Sequence, residues 1–190
     1  VEQYAVEVPL PRELIREADE ARRLQVGNYL DISRIAMVTA NDVLGLDYEI
    51  DVASVATATA TYAPGHVLAL AGGTKWSADT GTPVTDIDAA KDVIRKKIGK
   101  RPNKLTLSAD SYSALRNNKQ VLSRLPSTFI GTPGINELKT ILQIEDSVVG
   151  DAVWIDEADT GRDVWGNNAI MAYVAKITGG GAEISVAKPD

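Results

Sequence analysis

Histidine, the side chain most often used as a general base, occurs once in this chain of 190 residues, as His66 in a Pro-Gly-His turn. A single imidazole forms a zinc site only with the help of carboxylates. A serine-histidine-aspartate triad would have to use the same side chain, but the Gly-x-Ser-x-Gly turn that presents the serine is absent. We therefore interpret His66 as a solvated turn residue and predict no metal site.

Acidic side chains offer two other candidate sites. Asp86 and Asp88 could act as paired acids, but both fall in the first turn of a predicted helix, where carboxylates meet the positive end of the dipole. A second acidic group consists of Asp151, Asp156, Glu157 and Asp159. It lacks the alternating ligands before a glycine that a calcium loop requires, so solvated turn carboxylates are the favoured interpretation.

Two further patterns suggest phosphate or nucleic-acid binding. The segment 72–75 (GGTK) resembles the end of a phosphate-binding loop, but Leu68 stands where the first glycine of that pattern is required. A basic cluster at the end of a predicted helix consists of Lys96, Lys97, Lys100 and Arg101. The helix dipole favours cations there, and no aromatic side chains are interleaved for base stacking. We predict no catalytic residue and no cofactor-binding residue.

Composition excludes several classes of protein. Apolar residues make up 44% and charged residues 24% of the chain, as in ordinary globular proteins. The absence of cysteine excludes disulfides, zinc ribbons and thiol catalysis. The net charge of −6 would repel phosphate backbones, so we predict no sequence-specific binding of nucleic acid. No apolar run approaches the roughly 20 residues of a membrane span, and the first residues show no signal-peptide pattern.

The first elements expected along the chain are an extended segment and a charged helix. Pro9 and Pro11 exclude a central strand from the first ten residues, which we predict to be extended. In the segment Arg12–Leu24, glutamates and arginines recur three and four residues apart, which predicts a solvated helix.

A much longer helix should follow. Asn28 or Asp31 can cap it, and its pattern continues to about Ala56. Its predicted stripe of residues three and four apart comprises Ala36, Thr39, Val43, Leu46, Ile50, Ala53 and Thr57. Such a helix exceeds the usual ~11–12 residues and suggests a strut, although Gly45 would allow a break.

The next segment is rich in alanine, threonine and glycine and contains one predicted strand, Val67–Leu70. A helix should open at Pro83, with Thr85 and Asp88 as an acidic variant of a capping box, and should stop at Gly99. The predicted buried face of this helix comprises Ile87, Ala90, Ile94 and Ile98.

The remainder of the chain contains helices and then strands. Helices should follow a buried strand at Leu105–Leu107, with a Ser108 or Asp110 cap, and should recur at Val121–Leu125 and after Gly134, the last with Ile135, Leu138, Ile141 and Leu142 on one side. The later predicted strands are Val148–Val149, Ala152–Ile155, Val164–Trp165, Ala169–Ala175 and Glu183–Val186, with turns at residues 159–161 and 179–181. The layout is mixed α+β without an internal repeat.

Short matches in order along the chain carry a resemblance to a known family. They are Thr74-Lys75-Trp76-Ser77, Asp86-Ile87-x-Ala89-Ala90, Arg101-Pro102-Asn103, Leu105-x-Leu107, Tyr112-x-Ala114-Leu115-Arg116-Asn117, Val121-Leu122-x-Arg124-Leu125, Val149-Gly150-Asp151-Ala152-Val153, Val164-Trp165-Gly166 and Ala172-Tyr173-Val174. Together they resemble the tailed-phage major capsid (head) protein family, whose fold is shared with encapsulins. The resemblance covers about residues 74–176 and extends in weaker form over residues 4–46.

The resemblance implies an α+β phage major-capsid fold, with a long spine helix in a peripheral domain and a mixed α/β axial domain. It implies the following division: residues 1–27 as the return segment of an extended loop, 28–75 as the peripheral domain with the spine helix, 76–176 as the remaining peripheral elements and the axial domain, and 177–190 as the return toward the peripheral domain. The family has an N-terminal arm and further C-terminal sheet, so the chain is expected to be a fragment.

The same resemblance implies a structural protein of a bacteriophage or prophage, without enzyme activity or cofactor. Its copies would form homo-oligomeric capsomers, namely pentamers and hexamers. These would self-assemble in the host cytoplasm into the icosahedral shell of a virion that encloses DNA. Scaffolding, portal or decoration proteins would be further partners, and no membrane would be involved. Three alternatives stay open: an encapsulin-like nanocompartment shell, an α+β hydrolase that uses Asp151, Asp156 and Asp159, and a ring-forming adaptor or head-completion protein.

Overall fold

The computed structural model describes residues 5–24, 31–155 and 159–175, and the chain divides into two compact units between Val52 and Ala53. Several predicted features lie outside the described residues: the first four residues of the loop-return segment, the Asn28 cap, Asp156 and Glu157, the turn at 179–181, the strand Glu183–Val186 and the whole of 177–190.

The first unit contains an extended segment and helices α1 and α2. Residues 5–11 form neither helix nor strand, as the prolines predict. Helix α1 spans Arg12–Arg23 and has no buried residue, which confirms the predicted solvated helix. Helix α2 spans Ile32–Thr57 and continues into the second unit. Its 26 residues correspond to roughly 39 Å at 1.5 Å per residue, so the predicted long helix is confirmed.

The start of α2 is capped as predicted. The Arg34 backbone N–H donates to Asp31 Oδ1 at 3.1 Å. Along the predicted stripe, Ala53 is buried, whereas Thr39 is exposed and Val43 is 45% exposed. Apolar residues occur on all sides of this helix, so the stripe does not coincide with a buried face. Gly45 does not break the helix.

The second unit is built around a three-stranded sheet of order β2-β1-β5. Strand β1 spans Lys104–Ser108 and confirms the strand predicted at its centre. Strand β2 (Asp146–Gly150) pairs with it in parallel, and strand β5 (Ala169–Ala172) pairs with it antiparallel. Strands β3 (Val153–Ile155) and β4 (Gly161–Asp163) form a separate antiparallel hairpin.

Four helices of the second unit pack around β1. They are α3 (Pro83–Ile98), α4 (Ala109–Asn117), α5 (Lys119–Leu122) and α6 (Ile135–Leu142). The core that they enclose comprises Val84, Ile87, Leu105, Leu107, Leu115, Val121, Leu138, Leu142 and Ile144. Each fully buried aliphatic side chain contributes about 1.5–3 kcal/mol to the hydrophobic stabilisation. Helix α6 buries Leu138 and Leu142 as its sequence pattern predicts.

Helix α3 begins at Pro83 and ends at Ile98, with Gly99 as its C-cap at φ 70°, as predicted, but its N-terminal cap differs from the prediction. Thr85 does not form a capping box with Asp88, because the helix has already started two residues earlier. The side chain of Gln120 supplies the cap: its Oε1 accepts the Val84 backbone N–H at 2.9 Å, and its Nε2 donates to the Thr85 hydroxyl at 2.8 Å. At the other end, Ile98 is exposed and does not belong to the buried face.

Two predicted strands are absent from the described residues. Val67–Leu70 forms no ladder, and both Val67 and Leu68 are exposed, because no strand lies beside this segment. Val164–Trp165 forms a turn after β4. The apolar side chain of Trp165 packs against Gly150: a Cβ added at Gly150 would stand 2.2 Å from the Trp165 ring.

Candidate interaction surfaces

The groove that contains His66 does not hold a hydrolytic triad among its described residues. His66 and Ser111 both line a groove bordered by α3 and α4, as does Asp86. The Nδ1 atom of His66 lies 3.3 Å from the carbonyl oxygen of Ala63, and Asp86 accepts the indole N–H of Trp76 at 2.9 Å. In the described part of the chain, no hydrogen bond joins the imidazole to the serine or to the carboxylate. His66 and Asp86 therefore contact other groups, and Ser111 pairs with Ser108 at the start of α4.

The proposed acid pair is split between two structural roles. Asp86 is half-buried and holds the Trp76 indole, whereas Asp88 is exposed and pairs with Lys91 at 2.9 Å. The Lys91 ammonium group also donates to the carbonyl oxygen of Leu142 at the end of α6. A cation at a helix C-terminus is favourable because the last carbonyl groups there lack intrahelical donors. This contact joins α3 to α6.

The GGTK segment forms a short 3-10 turn over Gly72–Thr74. The Thr74 hydroxyl donates to the carbonyl oxygen of Ala71 at 2.8 Å and accepts the Ala71 backbone N–H at 3.0 Å. The hydroxyl that a phosphate loop would offer to a ligand is thus used inside the turn.

A buried amide fixes the loop that leads into α3. Asn118 is 4% exposed, and its Nδ2 atom donates to the carbonyl oxygens of Trp76 at 2.9 Å and Gly81 at 3.2 Å. Its Oδ1 atom accepts the Gln120 backbone N–H at 2.8 Å. Gly81 has no room for a side chain, since an added Cβ would stand 2.2 Å from the carbonyl oxygen of Lys75. Sequence analysis did not single out Asn118, because its partners lie far away in the chain.

The basic cluster lies at the C-terminal end of α3, where all four of its side chains are exposed. The Lys100 ammonium nitrogen lies 5.1 Å from the centroid of the Tyr173 ring, a cation–π contact. Among the described residues, Lys96, Lys97 and Arg101 form no ion pair. The cluster therefore presents unpaired positive charge to its surroundings.

The acidic residues of the hydrolase alternative do not converge where the structure describes them. Asp151 adjoins Ala152, whose carbonyl oxygen accepts the Val164 N–H at 2.9 Å at the base of the β3–β4 hairpin. Asp159 lies at the opposite end of the hairpin, just before β4, with φ 57°. Both carboxylates are exposed, and Asp156 lies outside the described residues. The length of the hairpin thus separates Asp151 from Asp159.

The same hairpin exposes apolar side chains. Val153 is 50% exposed, Trp154 is 36% exposed and Ile155 is 67% exposed. The Arg162 guanidinium carbon lies 6.0 Å from the centroid of the Trp154 ring. Sequence analysis predicted this strand but not its exposure. An exposed apolar strand bordered by charges is typical of a protein interaction site.

Asp146 is the described carboxylate with the clearest electrostatic perturbation. The hydrogen bond from the Lys104 ammonium group lowers the pKa of Asp146 below its usual value of 3.8, against an opposing effect of desolvation. Lys139, 3.5 Å from Asp146 Oδ1, lowers the pKa further. These contacts join the N-terminal ends of β1 and β2 and are structural.

Within the described residues, no helix combines the length and apolar character needed to cross a membrane. The same part of the chain holds no group of three or more histidine, cysteine, aspartate or glutamate side chains arranged to hold a metal ion.

The chain is similar in sequence to a phage protein and in sequence and fold to a phage-related protein. No family model matches the chain. It is 33% identical over 149 residues to a protein named "Major capsid protein" of Burkholderia phage BcepMu, covering 78% of this chain and 48% of that protein. It also matches the crystal structure of a phage-related protein from Bordetella bronchiseptica RB50, with a TM-score of 0.71 and 30% identity, covering 87% of this chain and 52% of the other. The chain spans about half the length of each relative.

Proposed function

We propose that this chain, a relative of a phage major capsid protein with the α+β fold that the resemblance predicted, is a structural part of a phage or prophage head. The observation that carries the proposal is the agreement of sequence and fold with phage proteins. In the whole protein, copies would assemble into pentamers and hexamers of an icosahedral shell that encloses DNA. The protein would assemble in the host cytoplasm and reside in the virion capsid, without acting as an enzyme.

The surface of α2 supports a role in association. Met37 is 69% exposed, Tyr48 is 73% exposed and Val55 is 64% exposed along this one helix. Burial of large exposed apolar side chains against another protein surface is favourable, so such side chains on a long helix indicate an interaction surface. Shell proteins make such contacts repeatedly, because every copy meets several neighbours.

The chemistry of the chain supports the same role. His66, Asp86 and Asp88 have structural contacts, and Asp151 and Asp159 lie at opposite ends of a hairpin. We assign residues 28–75 to the peripheral domain with its spine helix and residues 76–176 to the remaining peripheral elements and the axial domain, as part of the proposal.

Electron microscopy of the natural full-length protein, expressed alone and together with its genomic neighbours, tests the proposal. We expect closed shells or free capsomers with five-fold and six-fold symmetry, and protection of DNA from nuclease in shells formed in infected or induced cells. A protein that stays monomeric under both conditions would contradict the proposal. Shells that enclose a protein cargo and exclude DNA would instead favour the encapsulin-like alternative.

A further inference from the structure

The two ends of the β2-β1-β5 sheet carry opposite charge. The basic cluster ends α3 and lies just before β1. The β3–β4 hairpin follows the end of β2. The exposed carboxylates of Asp159 and Asp163, with Asp151 at its base, outnumber its exposed cation Arg162 among the described residues. The asymmetry is pronounced because the segment 95–104 contains six basic residues and no acidic one, within a chain of net charge −6.

The pairing of the strands places these charges apart. Strands β1 and β2 run parallel, with Lys104 opposite Asp146 and Ser108 opposite Gly150. The Lys100 contact with Tyr173 keeps the basic cluster at the end of the sheet where β1 begins. Four residue steps along β1 separate the two ends by roughly 13 Å.

The hairpin is held at the opposite end. The Ser108 backbone N–H donates to the carbonyl oxygen of Asn168 at 3.0 Å, so the chain returns from the hairpin beside the end of β1. Trp165 packs on Gly150 at the same place. The base of the hairpin is thus fixed by backbone and ring contacts at the end of the sheet remote from the basic cluster.

Neither surface is neutralised by the other. In the residues that the structure describes, no ion pair joins Asp151, Asp159 or Asp163 to the basic cluster. The hairpin also leaves its apolar strand exposed, and a two-stranded hairpin without further packing is marginally stable in water. A partner that supplies positive charge together with apolar surface would satisfy both features.

We propose that the basic cluster of one copy of this protein binds the β3–β4 hairpin of a second copy. The cluster has both required properties: its lysine stems are apolar, and Ile98, which lies within it, is 43% exposed. Because the two surfaces are different and lie at opposite ends of one unit, the contact is head-to-tail. Contacts of this type form rings when the rotation between neighbouring copies closes, as it would in a capsomer, and complementary charge fixes their orientation. The inference deepens the proposed shell function and rests on it.

Two charge-reversed variants of the full-length protein test the contact. K96E/K97E/K100E leaves Arg101 as the one cation of the cluster and makes it acidic, and D151K/D159K/D163K makes the hairpin basic, so each variant alone would bring like charges together at every contact. We expect at least a tenfold loss of assembled capsomers for each, measured by native mass spectrometry and sedimentation. The matched control K75E/K119E/R124E changes the net charge as K96E/K97E/K100E does, at exposed positions outside both surfaces, and should assemble normally.

The decisive measurement is whether assembly returns when the two reversed surfaces are combined, in one chain or in a mixture of two chains. A chain that carries all six substitutions should regain assembly, because the attraction between the cluster and the hairpin is restored with inverted sign. A mixture of the two reversed variants should regain rings of even number only, since the two chains must alternate, and should therefore form hexamers without pentamers. Assembly of the wild type should weaken with increasing salt.

The outcomes separate this inference from the shell proposal. If the wild type forms no assembly, the shell proposal fails. If the wild type assembles and both reversed variants do so equally well, the contact is wrong. It is also wrong if each reversal abolishes assembly and the combined variant does not recover it. If K96E/K97E/K100E and the milder K96Q/K97Q/K100Q form complete shells that no longer retain DNA, the cluster binds nucleic acid and the contact is equally refuted.

Discussion

The side-chain amide of Asn118 donates a hydrogen bond to the backbone carbonyl oxygen of Trp76, 2.9 Å away and 42 residues earlier in the chain. The same nitrogen reaches the carbonyl oxygen of Gly81, so one buried side chain satisfies two acceptors of a single loop. That loop carries the Trp76 indole to Asp86 and leads into α3. Its conformation therefore depends on a residue at the start of α5.

Replacing Asn118 by alanine should lower the free energy of unfolding by about 1–3 kcal/mol. The substitution removes the donor and leaves buried carbonyl groups without a partner, which costs more than the loss of an exposed hydrogen bond. Urea denaturation followed by tryptophan fluorescence measures the change. The neighbouring N117A is the matched control, because Asn117 is exposed, and a loss as large as that of N118A would contradict the assigned role.

Gln120→Ala should destabilise the protein by about 1 kcal/mol through the start of α3. The Val84 N–H, on a buried residue, loses its acceptor when the Gln120 carboxamide is removed, as in the loss of a helix cap. Thermal denaturation followed by circular dichroism measures the effect. K119A tests its specificity: the Lys119 pair with Asp79 is fully at the surface, so its removal should change stability by less than about 0.5 kcal/mol.

Asp146→Asn should make the stability of the protein less dependent on pH in the acid range. Lys104 and Lys139 lower the pKa of Asp146 in the folded state, so its carboxylate stabilises the fold above the unfolded value of 3.8. This contribution is lost as the pH falls through the lower, folded-state pKa.

Urea midpoints of the wild type and D146N at pH 7, 5, 4 and 3 provide the measurement. The wild type should be the more stable at pH 7 and 5, and the difference should shrink at the two lower values. A difference that stays constant down to pH 3 would show that the ion pairs with Lys104 and Lys139 do not act through this titration.

Gly150→Ala should destabilise the end of the sheet by about 1–3 kcal/mol, as overpacking does in well-packed sites. The added Cβ would stand 2.2 Å from the Trp165 ring, which must then move. The double variant G150A/W165A should lose less stability than the sum of the two single variants, because the clash needs both side chains. Additive losses of stability would show that the Cβ added at position 150 does not clash with Trp165.

The control for this substitution is Gly45→Ala in α2. No atom lies within 4 Å of the position that its Cβ would occupy, and the residue is helical. Alanine should therefore stabilise the helix by up to about 1 kcal/mol. Opposite signs for the two glycine substitutions would show that the loss at Gly150 comes from its surroundings.

Features set by neighbouring residues were predictable from the sequence. Asp31 caps α2 by accepting the backbone N–H of Arg34, three residues later. Pro83 and Gly99 mark the ends of α3. Ser108 accepts the N–H of Ser111 at the start of α4. Each depends on a backbone conformation or a hydrogen bond within one turn. Local rules therefore recovered the helices and the central strand.

Features set by distant residues were not predictable. The cap of α3 comes from Gln120, and no pattern near Thr85 indicates a partner 35 residues later. Val67–Leu70 has the composition of a strand, but a strand also needs a neighbour, and the sequence does not show that none is available. For the candidate surfaces, the sequence identified the charges but not their separation, which follows from the parallel register of β1 and β2.

That parallel register also has a kinetic consequence. Strand β1 lies between β2 and β5, and Lys104 is 42 residues from its partner Asp146, so no local turn can bring the central strand into its sheet. Contacts of long sequence separation slow folding, and a ribosome adding about 5–20 residues per second leaves Leu105 and Leu107 of β1 without strand partners for some seconds. We therefore expect newly made chains to be most prone to aggregate before β2 and β5 have been synthesised.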